Sequence, residues 1–305
     1  MSHPGEFLPP LIAGTVYLAL YRHRARTLAR RGAPINRWRE VSFGAGVLLV
    51  TAVQLPPLDT LADDVLIAHV LQHIVIGDIA SLLIVIGLTG PMLAPLLRIR
   101  LTRPLRSLAS PLVALGCWAL NLYVWHLPLL YQWAIQRDLA HALEHACLLW
   151  FGILLWLALL GPLPKPRWFS AWSRLGYVVA VRFAGAILAN TLVWAQTVFY
   201  PVYRASDAAR NLNPLSDQNL AGAIMLIEQM LLTVALLAWL FLRAAQVDED
   251  RQQLIEFAAK NNLPLRERRA ALAADAGTAD QLRARLDVNE PQRAQAPDSS
   301  APGGL

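Results

Sequence analysis

The chain has 305 residues, of which 16% are charged and 56% hydrophobic, with a mean hydropathy of +0.41 and a formal net charge of +6. A soluble domain carries about 25% charged residues, so this balance excludes an ordinary soluble protein. The pI of 9.7 needs no nucleic acid to explain it, because the basic residues sit in the connections between apolar blocks.

Seven apolar blocks are visible, roughly 7–21, 38–55, 62–87, 108–126, 138–160, 174–200 and 216–243. They are long enough to cross a bilayer as helices. The expected fold class is all-α: a polytopic membrane protein with seven transmembrane helices. The first block is the shortest and starts against Pro9 and Pro10. No basic region precedes it and no small-residue cleavage site follows, so it does not read as a cleaved signal peptide.

Arginine placement orients the chain. The connections after blocks one, three and five hold Arg22, Arg24, Arg26, Arg30, Arg31, Arg37 and Arg39, then Arg98, Arg100, Arg103 and Arg106, then Lys165, Arg167 and Arg174. The opposite side holds only Arg137, Arg204 and Arg210. The expectation is an N-terminus outside and a C-terminus in the cytoplasm, in a multi-pass protein of a bacterial inner membrane.

Block two ends in Gln54-Leu55-Pro56-Pro57, and Asp59, Asp63 and Asp64 follow. These acids read equally as a mouth that concentrates a cation or as a solvated helix start. Block three carries His69-Val70-Leu71-Gln72-His73. Two imidazoles four residues apart lie on one helix face, about 40° apart around the axis. Asp78 lies deeper and points away from the His69 face. Block four ends in Trp125-His126-Leu127-Pro128, which places His126 at the outer boundary, and Tyr131 and Trp133 follow in a short interfacial segment.

Block five begins at Asp138 and contains His141-Ala142-Leu143-Glu144-His145, a second pentad of the same pattern. Block six holds Arg182 near its inner end and Asn190 toward the outer end. Block seven starts at Asp217-Gln218-Asn219 and places Met225, Glu228 and Gln229 on one face by their spacing. Cys117 and Cys147 form no metal motif and read as packing residues. Residues 1–245 form the membrane domain. In the tail, 246–305, residues 248–260 suit a short amphipathic helix, and the chain from about 262 lacks the apolar content for a core and is expected to be disordered.

Ionisable residues inside a membrane are rare and usually functional. His69, His73, His141 and His145 enter from one side at similar depth, so they are candidate metal ligands. The bland alternative is a polar network that joins helices. Gln72 and Glu144 could orient the rings, and His126, Met225, Glu228 and Asn190 could contribute further contacts. Imidazole with thioether favours copper. Haem is a competitor, although two histidines on one helix turn suit a compact ion better. Asp78 and Arg182 are at overlapping depths and are expected to form a structural ion pair.

The two pentads, Trp125-His126-Leu127-Pro128 with Tyr131, and Asp217-Gln218-Asn219-Leu220-Ala221-Gly222 running into Met225, together resemble the multispanning CtaG-type cytochrome c oxidase assembly factors. The resemblance covers about residues 7–243. It departs after Met225, where a Trp and a Pro-Gly are often found in the family and Met225-Leu226-Ile227-Glu228-Gln229-Met230 stands here. It implies a non-enzymatic role in maturing haem–copper oxidase at the copper-insertion stage, with oxidase subunits and copper chaperones as partners. Rival readings are a haem-binding redox protein and a copper transporter.

Overall fold

The computed structural model describes residues 8–98, 110–163, 165–166, 168–261, 263, 265–275 and 277–294. All regular structure among them is helical. In chain order the helices are α1 (Leu8–Arg30), α2 (Arg37–Val53), α3 (Leu58–Asp64), α4 (Leu66–Gly87), α5 (Gly90–Arg98), α6 (Pro111–Trp125) and α7 (Pro128–Ile135). They continue with α8 (Asp138–Leu159), α9 (Ala171–Val193), α10 (Arg204–Ala209), α11 (Pro214–Lys260), α12 (Glu267–Asp275) and α13 (Ala279–Ala294).

Among the described residues, four helices are long and apolar enough to cross a membrane: α4, α8, most of α9 (Trp172–Val193) and α11. Two bent pairs, α2 with α3 at 53° and α6 with α7 at 73°, raise the number to six if each pair is one span. The first expected block lies in α1, which is not among them. The block expected at 62–87 is divided instead. Val65 is extended, α3 ends before it and α4 begins after it. Asp63 and Asp64 therefore close α3 rather than open the histidine helix, and Asp64 pairs with Arg210 at 2.5 Å.

The start of α4 is capped from far away in sequence. Asp217, the first residue of the Asp217-Gln218-Asn219 run, accepts hydrogen bonds from the backbone N–H of Leu66 at 2.8 Å and Ile67 at 3.3 Å. These are otherwise unpaired donors of the first turn, and a carboxylate suits them. Gln218 accepts from Phe199 N and donates to Thr197 O, while Asn219 donates to Val193 O and Ala195 O at the end of α9. Three consecutive polar residues thus fasten α4, the 195–199 turn and α9 to the head of α11.

The opposite end of α4 is capped by arginine. Arg39 donates to the carbonyls of Ile86 and Leu88, and Arg24 donates to that of Pro91. The basic connections and the histidines consequently occupy opposite ends of α4.

Midway along, α4 contains a π-helical segment, Val75–Ala80. Such segments displace carbonyls from the regular ladder. Here Ser81 Oγ donates to Gly77 O, and Trp156 Nε1 of α8 donates to Asp78 O at 3.1 Å. The crossing with α8 is close: a Cβ on Gly152 would collide with the Gly77 carbonyl and lie 2.8 Å from Ser81 Oγ. Gly46 of α2 makes a similar approach, with a Cβ there 2.8 Å from Ala80 O. Small residues let these three helices approach backbone to backbone.

The chain divides into two compact units, with the boundary between Val234 and Ala235 inside α11. In the second, Leu254, Ala270, Ala273 and Leu282 are buried together, with Leu265 and Leu286 packed on them, and Arg283 stacks over Phe257 at 4.9 Å. Disorder was the expectation from residue 262; in this stretch α12 and α13 contribute apolar residues at helical spacing to one cluster. Residues 295–305 lie outside the described residues.

Candidate metal centre

The imidazoles of the two pentads meet between α4 and α8. Ring centroids stand 4.1 Å apart for His69 and His73, 4.2 Å for His141 and His145, 5.2 Å for His69 and His141, and 5.3 Å for His73 and His145. Within each pentad the spacing of four stacks the rings along one face. The close α4–α8 crossing then sets the two pairs side by side.

His69, His73 and His145 are buried and His141 is half-buried. Both ring nitrogens of His69 and of His73, Nε2 of His141 and of His145, and both oxygens of Glu144 have no hydrogen-bond partner. Buried polar atoms are normally paired, and each exception calls for an explanation. One ligand atom from each of His69, His73, His141 and Glu144 lies within 4.8 Å of the other three. His73 Nε2 is 3.8 Å from Glu144 Oε1. Three imidazoles and a carboxylate are donors suited to zinc, copper or iron. The bare nitrogens and oxygens are what a metal would complete, so the residues fit an ion.

Glu144, expected to orient the rings, is placed among the closest four donors. His145 adjoins them. Gln72 is turned away: its amide donates to Val53 O at 2.7 Å and Asp59 Oδ1 at 2.9 Å, bracing α4 against α2 and α3 rather than an imidazole. Asn190 is exposed and donates to Ala186 O within its own helix, so it does not join the cluster.

An aromatic wall covers the His69 side. Tyr131 lies 5.2 Å and Tyr203 6.5 Å from the His69 ring, their hydroxyls 2.9 Å apart, and Tyr200 packs on Tyr131 at 4.2 Å. Tyr131 was legible through its place after Trp125-His126-Leu127-Pro128. Tyr200 and Tyr203 carried no spacing or motif that pointed to the site.

His126 is buried rather than at a wet boundary. Its ring is 6.4 Å from that of His73, its Nδ1 bonds Leu122 O at 2.8 Å, and its own carbonyl accepts from Tyr200 Oη. It lines a cavity of about 50 Å³ together with His73, Asp78, Met225, Glu228 and Gln229.

Asp78 therefore does not point away from the histidines. In a regular α-helix a residue five positions after His73 would be turned by about 140°. The π segment between them, with its i to i+5 bonding, brings the two side chains to one cavity. Arg182 Nη2 lies 3.4 Å from Asp78 Oδ1, and its Nη1 lies 3.3 Å from Glu228 Oε1 and 3.1 Å from Gln229 Oε1. Glu228, expected beside the histidines, is bound instead to this arginine, because the long guanidinium fork reaches both carboxylates. The Arg182 guanidinium also stands over the Trp156 ring at 5.4 Å.

Residues 16–246 match the model of a family described as cytochrome c oxidase caa3 assembly factor. No curated protein and no solved structure matches the chain.

Proposed function

The chain belongs to the cytochrome c oxidase caa3 assembly factor family, and from that premise we propose that it holds copper at the histidine cluster for delivery to the oxidase. The observation that carries this reading is the set of unpartnered donors of His69, His73, His141 and Glu144 within 4.8 Å of one another. A histidine network that only joined helices would pair most of those nitrogens with each other or with backbone, whereas among the described residues the one backbone group at the cluster's rings is Ala62, beside His69. Here the carboxylate and the imidazoles face one another without hydrogen bonds, as groups do that share an ion. Copper is preferred because haem–copper oxidase is the client and imidazole sites bind copper strongly. His145 stands by as a further ligand.

In this reading the protein is not an enzyme. It is a seven-span protein of the bacterial plasma membrane, N-terminus outside, with the histidine end of α4 and α8 toward the outer face. The arginine distribution supports that orientation. Its partners are oxidase subunits and copper chaperones. Copper is cargo, so the protein's work is to desolvate the ion, hold it and release it. The ring nitrogens bind, Glu144 supplies a negative charge, and the tyrosine wall excludes water.

The experiment is deletion of the gene, followed by assay of haem–copper oxidase activity and of the oxidase's copper content. Both should fall, with partial rescue by added copper. Normal activity and normal oxidase copper in the deletion strain would overturn the assembly reading.

A further inference from the structure

The cavity beside the cluster contains the pieces of another site. It is lined by His73 of α4, His126 at the end of α6 and Met225 of α11, with Asp78 and Glu228 beyond them. His126 and Met225 are each 7% exposed. Nδ1 of His126 bonds the Leu122 carbonyl at 2.8 Å, and an imidazole nitrogen facing a carbonyl carries the proton. Nε2 is then the lone-pair nitrogen. A ring that donates one N–H to a backbone carbonyl while its other nitrogen stays free is the arrangement of a metal-binding histidine. Both nitrogens of His73 are unpartnered.

We propose that this cavity is a second, thioether-containing site for monovalent copper, built by His126 and Met225, with His73 shared between it and the histidine cluster. The inference rests on the copper reading of that cluster and extends it to a two-station path. Thioether sulfur with imidazole selects Cu(I) over harder ions. The cavity, at about 50 Å³, has room for an ion and a few water-sized ligands. His73 has its ring 4.1 Å from that of His69 and 6.4 Å from that of His126, so it stands between the stations and can pass an ion by exchanging ligands one at a time.

The test is anaerobic titration of the purified full-length protein with Cu(I) against a chromogenic competitor, followed by X-ray absorption at the copper edge. Met225→Leu preserves volume and should fold, because such swaps cost little. Met230→Leu is the control, since Met230 is 59% exposed. The wild type and Met230→Leu should each take up two equivalents and show a sulfur scatterer. Met225→Leu should take up one equivalent and lose the sulfur signal. One equivalent in the wild type, with a spectrum unchanged by Met225→Leu, would overturn the second site and leave the cluster standing. No Cu(I) bound by the wild type would overturn both.

Discussion

Arg182 serves two carboxylates in a place with almost no water, itself 5% exposed. Removing the arginine leaves two buried carboxyl groups without their partner, whereas removing Asp78 leaves the Glu228 contact intact. Breaking a buried pair costs about 3–5 kcal/mol. Arg182→Gln should therefore lower the thermal midpoint in detergent more than Asp78→Asn does. The double variant should recover part of the loss of Arg182→Gln, with a coupling of about 0.5–3 kcal/mol. Additive losses would show that the contacts seen here do not stabilise the fold. Asp207 poses the opposite problem on the α9–α11 connection. It is 1% exposed and neither carboxylate oxygen has a hydrogen-bond partner. Burial, and then the nearby Asp217, pushes its pKa from 3.8 up to about 6. A folded-state pKa above the unfolded one means the folded state binds the proton more tightly. The folded state is thus favoured at low pH, and that benefit is lost as pH rises from about 4 through about 6. Asp207→Asn should raise the thermal midpoint relative to wild type at pH 7.5 and leave it unchanged at pH 4. An equal effect at both would contradict this account. At this scale the histidines were legible because imidazoles four apart in an apolar run are unusual. Glu228 was placed by helical phase and Asn190 by depth alone, and neither says which neighbouring helix a side chain meets.

At the scale of elements, the site depends on how closely α4 and α8 cross. Gly152 makes that crossing possible, since any Cβ there would meet the Gly77 carbonyl. Ala normally stabilises a helix by about 0.5–1 kcal/mol over Gly. The steric penalty should reverse the sign, so Gly152→Ala should destabilise by about 1–3 kcal/mol, as overpacking does. It should also weaken copper binding, because the pentads are pushed apart. A variant as stable as wild type with full copper affinity would contradict the proposed role of the crossing. Asp217→Ala should cost about 1 kcal/mol, as lost helix caps do. That is read from the denaturant midpoint at constant slope, and no shift would mean that water replaces the cap. The apolar blocks were legible because hydropathy and length mark helices directly. The π segment was not, since Val75-Ile76-Gly77-Asp78-Ile79-Ala80 carries no breaker beyond one glycine. Its consequence, Asp78 meeting His73 at one cavity, was therefore missed. The cap from Asp217 on α4, 151 residues apart, was equally invisible to a local reading.

At the scale of the whole molecule, a member of a family of oxidase assembly factors carries one distinctive chemical feature: a buried histidine–glutamate cluster with bare ligand atoms. The motifs that carried the resemblance have distinct structural duties. The two pentads make the cluster, Trp125-His126-Leu127-Pro128 turns α6 into α7 at its side, and Asp217-Gln218-Asn219 ties the helix ends that hold it in place. The most direct test of the central claim is the copper stoichiometry of the purified protein, wild type against the double variant His69→Ala with His141→Ala. Both proteins should reach the membrane and purify as folded helical proteins by circular dichroism. The double variant should bind one equivalent of copper fewer than the wild type. Equal stoichiometry and equal affinity in the two proteins would contradict the claim that these histidines hold the metal.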